Sequence, residues 1–179
     1  MTVDRKCGSS EAAIHIGAAQ IAAGLSDLVV AGGAEAMSRV PMGSNRAIHG
    51  EAFGWMVSDR YELTSQGEAA ERIADKYGFD RDALDDFAAE SHRRAAASTD
   101  AGYFRAETVA VPVADLCEKD WDGPRDVLEA DQTIRRDTSR EKLSTLKTSF
   151  RESGRVTAGN ASQISDGAAV VLLASEAAV

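Results

Sequence analysis

Residues 9–33 read SSEAAIHIGAAQIAAGLSDLVVAGG, and this stretch decides the fold class. Positions 9–23 are alanine-rich and small on nearly every side. That pattern predicts a helix packed between other elements rather than one lying on a surface. Gly24 is a natural stop, because glycine accepts the left-handed conformation that ends many helices. Leu28-Val29-Val30-Ala31 is short and continuously apolar, the pattern of a strand buried on both faces of a mostly parallel sheet. Gly32-Gly33 follows, where such a strand would turn toward a site. A helix feeding a buried strand through a short connection points to α/β architecture.

Working outward, residues 41–61 scatter Gly43, Gly50 and Gly54 among Met42, Phe53, Trp55 and Met56, and read as a long loop. Residues 68–77 predict a helix with Ala69, Ala70, Ile73, Ala74 and Tyr77 on its inner face, closed by Gly78. Asp80 can cap the next helix, with Asp82 in its positive first turn. That helix would carry Leu84, Phe87, Ala88, Ser91 and Ala95 inward, with Gly102 after its end. Val109, Val111 and Val113 alternate as in a half-buried strand, which Pro112 confines to an edge. Residues 115–138 are polar and irregular, Ser139 can cap a last short helix with Leu143 and Leu146, and Val170-Val171-Leu172-Leu173 repeats the fully buried strand pattern. The two ends therefore share one character and the middle has another. Residues 1–40 and 156–179 form a core, interrupted by an inserted helical domain at 41–155.

Composition narrows the function classes. The 179 residues are 44% hydrophobic and 27% charged, with a formal charge of −9. This balance suits a globular protein and disfavours a general nucleic-acid or anionic-membrane binder, since phosphate contact needs Lys and Arg. Surplus carboxylate is ordinary solubility charge, and would also suit a high-salt cytoplasm. No apolar run approaches the roughly 20 residues of a membrane helix. The opening residues lack the apolar region of a signal peptide, so a cytoplasmic location is expected. Cys7 and Cys117 make no disulfide framework, and no spacing of Cys or His suggests a metal site.

Three features could carry chemistry. Cys7 precedes Gly8-Ser9-Ser10 and opens the first helix. A thiol there faces the positive end of the helix dipole and unpaired N–H groups, which favour a nucleophile. The small neighbours would admit a substrate carbonyl. A buried structural cysteine is the alternative reading. Cys117, between polar residues, has no such setting. A cysteine nucleophile needs a base, and the chain offers His15, His49 and His92. His15 lies eight residues along the same helix, roughly 12 Å away and beyond hydrogen-bond reach. His49 and His92 read as surface residues. Second, residues 135–155 hold Arg135, Arg136, Arg140, Lys142, Lys147, Arg151 and Arg155 against Asp137, Glu141 and Glu152. A basic patch in an acidic chain suits an anionic ligand such as a nucleotide, or is a solvated helix face. Third, Val156 to Gly167 (VTAGNASQISDG) places small, turn-forming residues ahead of a strand, where α/β ligand sites collect. The sequon Asn160-Ala161-Ser162 within it is read as accidental.

Together these stretches resemble the thiolase family of acyl-CoA acyltransferases. Residues 2–10 (TVDRKCGSS) are similar to the segment around the family's acyl-accepting cysteine, and residues 27–38 (DLVVAGGAEAMS) to its following strand. Ser91-His92-Arg93-Arg94-Ala95-Ala96-Ala97 resembles the loop-domain helix, and Val156 to Gly167 the glycine-rich signature, with Gln163 where glycine is usual. The fold implied is part of the thiolase α/β fold: the N-terminal core half without its first strands, interrupted by an α-rich loop domain. By this resemblance Cys7 would carry the acyl group as a thioester and its backbone N–H would help form an oxyanion hole. Arg135 would pack on the adenine of coenzyme A, and Phe150, Ala158 and Ser162 would line the pantetheine channel. Ser65-Gln66-Gly67 stands where many members have His-Met-Gly, which leaves acyl-chain preference open.

The resemblance further implies CoA and acyl-CoA as substrates, no permanently bound cofactor or metal, and a homo-oligomer, dimer or tetramer, when complete. The family's Asn-Glu-Ala-Phe motif, Gly-His-Pro histidine and second catalytic cysteine motif do not occur in the 179 residues. The chain is therefore read as a truncated piece, inactive alone, of an enzyme cleaving 3-ketoacyl-CoA with CoA or condensing acyl-CoAs. The alternatives are a lipid-carrier-type thiolase, a non-catalytic partner subunit or a degenerate remnant.

Overall fold

The computed structural model describes residues 1–44, 48, 50, 53–113 and 127–179. The chain forms two compact units, one from residues 1–61 and 163–179, the other from residues 62–162. Residues 41–61 thus group with the first unit and residues 156–162 with the second, whereas the sequence pattern divides the chain at 40 and 155.

The first unit is a helix on a two-stranded sheet. Helix α1 spans Ser9–Ala22, and Gly24 follows in the left-handed conformation with φ 68°. The N–H of Gly24 donates to Ile21 O and that of Leu25 to Gln20 O, which closes the helix as its sequence predicts. Strands β1 (Leu28–Ala36) and β4 (Asp166–Ala174) pair antiparallel, with Val30 opposite Leu172 and Gly32 opposite Val170. The sequence pattern predicts a mostly parallel sheet; this pair within it is antiparallel. The chain leaves β1 and enters β4 at the same end, where Asp166 accepts the Ser38 N–H at 2.9 Å and also its hydroxyl, so the strands run in opposite directions. Gly32 and Gly33 lie inside β1 rather than in a turn after it.

One sheet face receives α1: Ala12 and Ala31 are buried, and Gly17 sits where an added Cβ would come within 2.9 Å of Val29 and Leu173. The other face is exposed, with Val30 at 70%, Val170 at 73% and Leu172 at 65%. On α1, Ala12 and Gly17 are the buried residues. The stretch read as a loop over 41–61 ends in a short helix, α2, at Trp55–Arg60.

The second unit is helical. Helix α3 (Gln66–Tyr77) starts at Ser65, whose Oγ accepts the Glu68 N–H, and stops at left-handed Gly78. Helix α4 (Arg81–Asp100) starts at Asp80, whose Oδ1 accepts the Ala83 N–H at 2.8 Å. Strands β2 (Val111–Pro112) and β3 (Val127–Leu128) form a short antiparallel ribbon, shorter than the alternation of Val109 to Val113 suggests. Helix α5 (Arg140–Ser144) is capped by Ser139 and buries Leu143. The faces turned inward differ from the apolar pattern. In α3 the buried residues are Gly67, Glu71 and Ala74, while Ile73 and Tyr77 are exposed. In α4 the buried residue is Asp85, while Phe87 and Ser91 are exposed. Carboxylates hold the inner positions because they accept hydrogen bonds there, and an unpaired buried polar group would cost about 1–3 kcal/mol.

Candidate active site

Cys7 belongs to the first unit and is exposed. It sits on a tight turn ahead of α1. Gly8 N–H donates to Arg5 O at 3.1 Å and Ser9 N–H to Lys6 O at 3.0 Å. The Ser9 hydroxyl donates to Lys6 O at 2.6 Å while accepting the Arg5 N–H at 2.8 Å. These bonds hold Lys6, immediately before the thiol, at φ 54°. A non-glycine residue pays about 1–2 kcal/mol for that left-handed conformation, so the four bonds must outweigh it. The result is an exposed thiol on a sharp turn at the mouth of a helix. His15 is exposed and pairs with Glu11. Cys117 and His49 lie outside the described residues.

Arg135, Phe150, Ala158 and Ser162 belong to the second unit. Phe150 lies against the first turn of α3, where a Cβ added to Gly67 would fall 2.1 Å from Phe150 Cδ1. The segments around Phe150 and Ala158 are joined directly. Thr148 bridges Thr157 antiparallel, and Ser149 N–H donates to Val156 O at 2.9 Å. Val156 and Thr157 are buried, after which Ala158 and Ser162 are exposed. Thus Phe150 lies on Gly67, and its segment is paired with the one that leads into Ala158.

Arg135 is exposed, and its backbone N–H donates to Nδ1 of His92 on α4 at 3.2 Å. The sequence assigns His92 to the surface; it is half-buried and holds the residue expected to meet adenine. No local spacing signals this contact between residues so far apart in the chain. The basic stretch 135–155 is mostly neutralised in space. Arg136 pairs with Asp100, Arg140 with Asp86, Lys142 with Asp137, and Arg151 and Arg155 with Asp75. Glu68, gripped first by Arg151 and then by Arg72, has its carboxyl lowered to about 2. Among the described residues Arg135 and Lys147 have no carboxylate within ion-pair distance. The patch available to an anion is therefore far smaller than the seven cations of the sequence.

A buried polar network also lies in this unit. Glu71, Asp85 and Thr157 are fully buried. Asp85 accepts Arg81 Nε at 2.7 Å and Asn160 Nδ2 at 2.8 Å, and Arg81 also donates to the Leu143 and Leu146 carbonyls. The signal available in the sequence is the i, i+4, i+8 spacing of Gly67, Glu71 and Asp75 on α3. Among the described residues no group of three or more His, Cys, Asp or Glu could hold a metal ion, and no helix is long and apolar enough to cross a membrane.

This helix-on-sheet core, with a cysteine on the turn before its helix, is joined to a helical unit presenting a small-residue loop. The thiolase N-terminal domain profile matches residues 1–177, and the chain belongs to the thiolase family. It is 41% identical to a 3-ketoacyl-CoA thiolase of Saccharophagus degradans, over 98% of this chain and 43% of that one. It is also 41% identical to an acetyl-CoA acetyltransferase of Chromobacterium violaceum, over 97% of this chain and 46% of that one. A crystal structure of human mitochondrial 3-ketoacyl-CoA thiolase in complex with CoA superposes with a TM-score of 0.71 at 31% identity, covering 99% of this chain and 45% of the human one. The chain thus spans under half the length of these relatives and corresponds to an N-terminal part of the thiolase fold.

Proposed function

We propose that this chain contributes the acyl-accepting part of an acyl-CoA acyltransferase of the thiolase type. The observation that carries this reading is Cys7, exposed on a strained turn at the start of α1 in a chain of this family. In the proposed reaction the Cys7 sulfur attacks the 3-keto carbonyl of a 3-ketoacyl-CoA. The carbon–carbon bond breaks, acetyl-CoA leaves after protonation of its carbanion, and the shortened acyl group remains on Cys7 as a thioester. A CoA thiol then attacks that thioester, giving acyl-CoA and releasing Cys7. The steps reversed condense two acyl-CoAs. In this reading the Cys7 backbone N–H helps stabilise the oxyanion, aided by the positive end of the α1 dipole.

Arg135 packs on adenine, and Phe150, Ala158 and Ser162 line the path of the pantetheine arm. The likeness to a thiolase solved with CoA supports this assignment, as does the pairing that joins the segments around Phe150 and Ala158. CoA and acyl-CoA are substrates in this reading. A cytoplasmic location and a homo-oligomeric complete enzyme go with it.

The test is to incubate the purified chain with acetyl-CoA and measure the intact mass and the peptide containing Cys7. Addition of one acetyl group at Cys7, absent in Cys7→Ala, is the expected result. Acetylation elsewhere, or none while CoA binds, would remove Cys7 from this role.

A further inference from the structure

Residues 155–160 are held by two carboxylates that the acyl-transfer chemistry does not use. Glu71, fully buried on α3, accepts the Arg155 N–H on both oxygens, at 2.9 and 3.0 Å, and the Val156 N–H on Oε1 at 2.9 Å. Two consecutive amides of the loop therefore point at one carboxylate, which fixes the planes of both peptides. Asp85, fully buried on α4, holds the other side through Asn160. The Asn160 Nδ2 donates to Asp85 Oδ1 at 2.8 Å and to Arg155 O at 3.0 Å, while its Oδ1 accepts the Thr157 N–H at 2.8 Å. Between these anchors the chain turns outward at Ala158.

Apolar packing alone would be a less demanding way to close this unit, since buried carboxylates need every hydrogen bond satisfied. What the carboxylates add is direction, because hydrogen bonds fix peptide orientation and van der Waals contact does not. The approach is close enough that a Cβ on Gly154 would meet Glu71 Oε1 at 2.2 Å. The same helix face carries Gly67, on which Phe150 rests, one turn before Glu71. One face of α3 thus sets both Phe150 and the loop bearing Ala158.

We propose that Glu71 is a positioning residue: by orienting the Arg155 and Val156 amides it holds the Ala158–Ser162 turn in register with Phe150 for the pantetheine arm of CoA. The ligand named here rests on the proposed acyltransferase reading; the clamp on the loop does not.

The experiment compares the chain with Glu71→Gln, Glu71→Asp and Asp80→Ala. Amide hydrogen exchange is read at Arg155 and Val156, CoA affinity by titration, and stability by urea unfolding. Asp80→Ala removes a helix cap and touches no loop amide. Glu71→Gln can no longer accept on both atoms, so exchange at Arg155 and Val156 speeds by roughly tenfold or more, the loss of one bond to a charged acceptor. CoA affinity falls in parallel and Glu71→Asp recovers part of both. Asp80→Ala lowers stability while leaving loop exchange and CoA affinity unchanged. Unchanged exchange in Glu71→Gln would overturn the clamp. Faster exchange with unchanged CoA affinity, or an Asp80→Ala variant that weakens CoA equally, would overturn the positioning role. Failure of the unaltered chain to bind CoA would count against the proposed ligand, and the exchange comparison would then decide the clamp by itself.

Discussion

Phe150 lies on Gly67, so closely that a single added methyl at position 67 would fall 2.1 Å from the ring. Gly67→Ala sets two effects against each other. Alanine in a helix is favoured over glycine by about 1 kcal/mol. Forcing a methyl into a filled contact costs typically about 1–3 kcal/mol, and the ring must also leave its place. The clash should win. Urea unfolding is expected to show net destabilisation, with CoA binding weakened because Phe150 has moved. A variant more stable than the parent, with unchanged CoA affinity, would mean that Phe150 is not held by this contact.

His92 and Arg135 give a second pair of variants with different signatures. Arg135→Ala removes a guanidinium expected on adenine, a contact worth about 0.5–2 kcal/mol, or several-fold to roughly thirty-fold in CoA affinity. His92→Ala leaves the guanidinium in place and removes the acceptor of the Arg135 N–H. Its effect on CoA should be smaller, of the same sign, and absent in an Arg135→Ala background. Titration of the single and double variants reads the coupling; strictly additive losses would disconnect the two residues.

The ion pairs on α3 predict an acid response. The Glu68 carboxyl lies at about 2 instead of the usual 4.5, held there by Arg151 first and Arg72 second. A carboxyl lowered by folding contributes stability that is full above its ordinary value and is lost as pH falls toward the folded one. The window is therefore pH 4.5 down to 2, and Asp75, also lowered by Arg151 and then Arg155, acts in the same direction. Glu68→Gln should be less stable than the parent at pH 7, with the difference shrinking below pH 4.5. Urea midpoints at a series of pH values check this, and a constant difference across the window would refute it.

Helix ends were legible in the sequence because their causes are local. Gly24, Gly78, Asp80 and Ser139 each act within four residues of themselves, and each caps or stops a helix as its chemistry requires. Strands β1 and β4 were legible as apolar runs. Their antiparallel pairing was not, because it depends on where the chain returns, and Ser38 meets Asp166 across the whole second unit. The inner faces of α3 and α4 depart in part from the apolar pattern for a different reason. Hydrophobic periodicity assumes that apolar side chains face the core, whereas here Glu71 and Asp85 face inward to bind backbone and side-chain donors of residues 155–160. The basic stretch reads as an anion patch or a solvated face, and a count along the chain cannot see that α3 and α4 supply most of its counter-charges. Cys7 stood out because its setting is local, and its strained neighbour Lys6 did not, because no pattern marks that conformation.

The exposed sheet face predicts solution behaviour. Val30, Val170 and Leu172 present adjacent apolar side chains on β1 and β4. Contiguous apolar surface of this kind drives association. The chain alone should self-associate with increasing concentration, and Val170→Lys should reduce this while leaving the far-ultraviolet circular dichroism spectrum unchanged. Light scattering that stays flat for the parent chain, or rises equally for the variant, would show that this face does not drive association.

The last prediction separates acylation from turnover. Transfer to Cys7 in the proposed reaction needs the thiol and an oxyanion site, which that proposal assigns to the start of α1. Completing thiolysis also needs a base for the incoming CoA thiol and an acid for the departing carbanion. Of the described histidines, His15 is exposed and paired with Glu11, and His92 is engaged by the Arg135 N–H. General acid–base catalysis contributes about 10²–10⁴-fold, so the chain alone should fall short of steady turnover by at least that factor. It is expected to accept acetyl from acetyl-CoA slowly, no more than one per chain, and to cleave acetoacetyl-CoA at no measurable steady rate. Lys6→Val, a β-branched residue at φ 54°, should slow the acetylation by distorting the turn, whereas Lys6→Gly should preserve it. Steady Cys7-dependent cleavage by the purified chain would show that a base sits within reach of the thiol after all. Equal acetylation of both Lys6 variants would show that the strained turn has no part in presenting it.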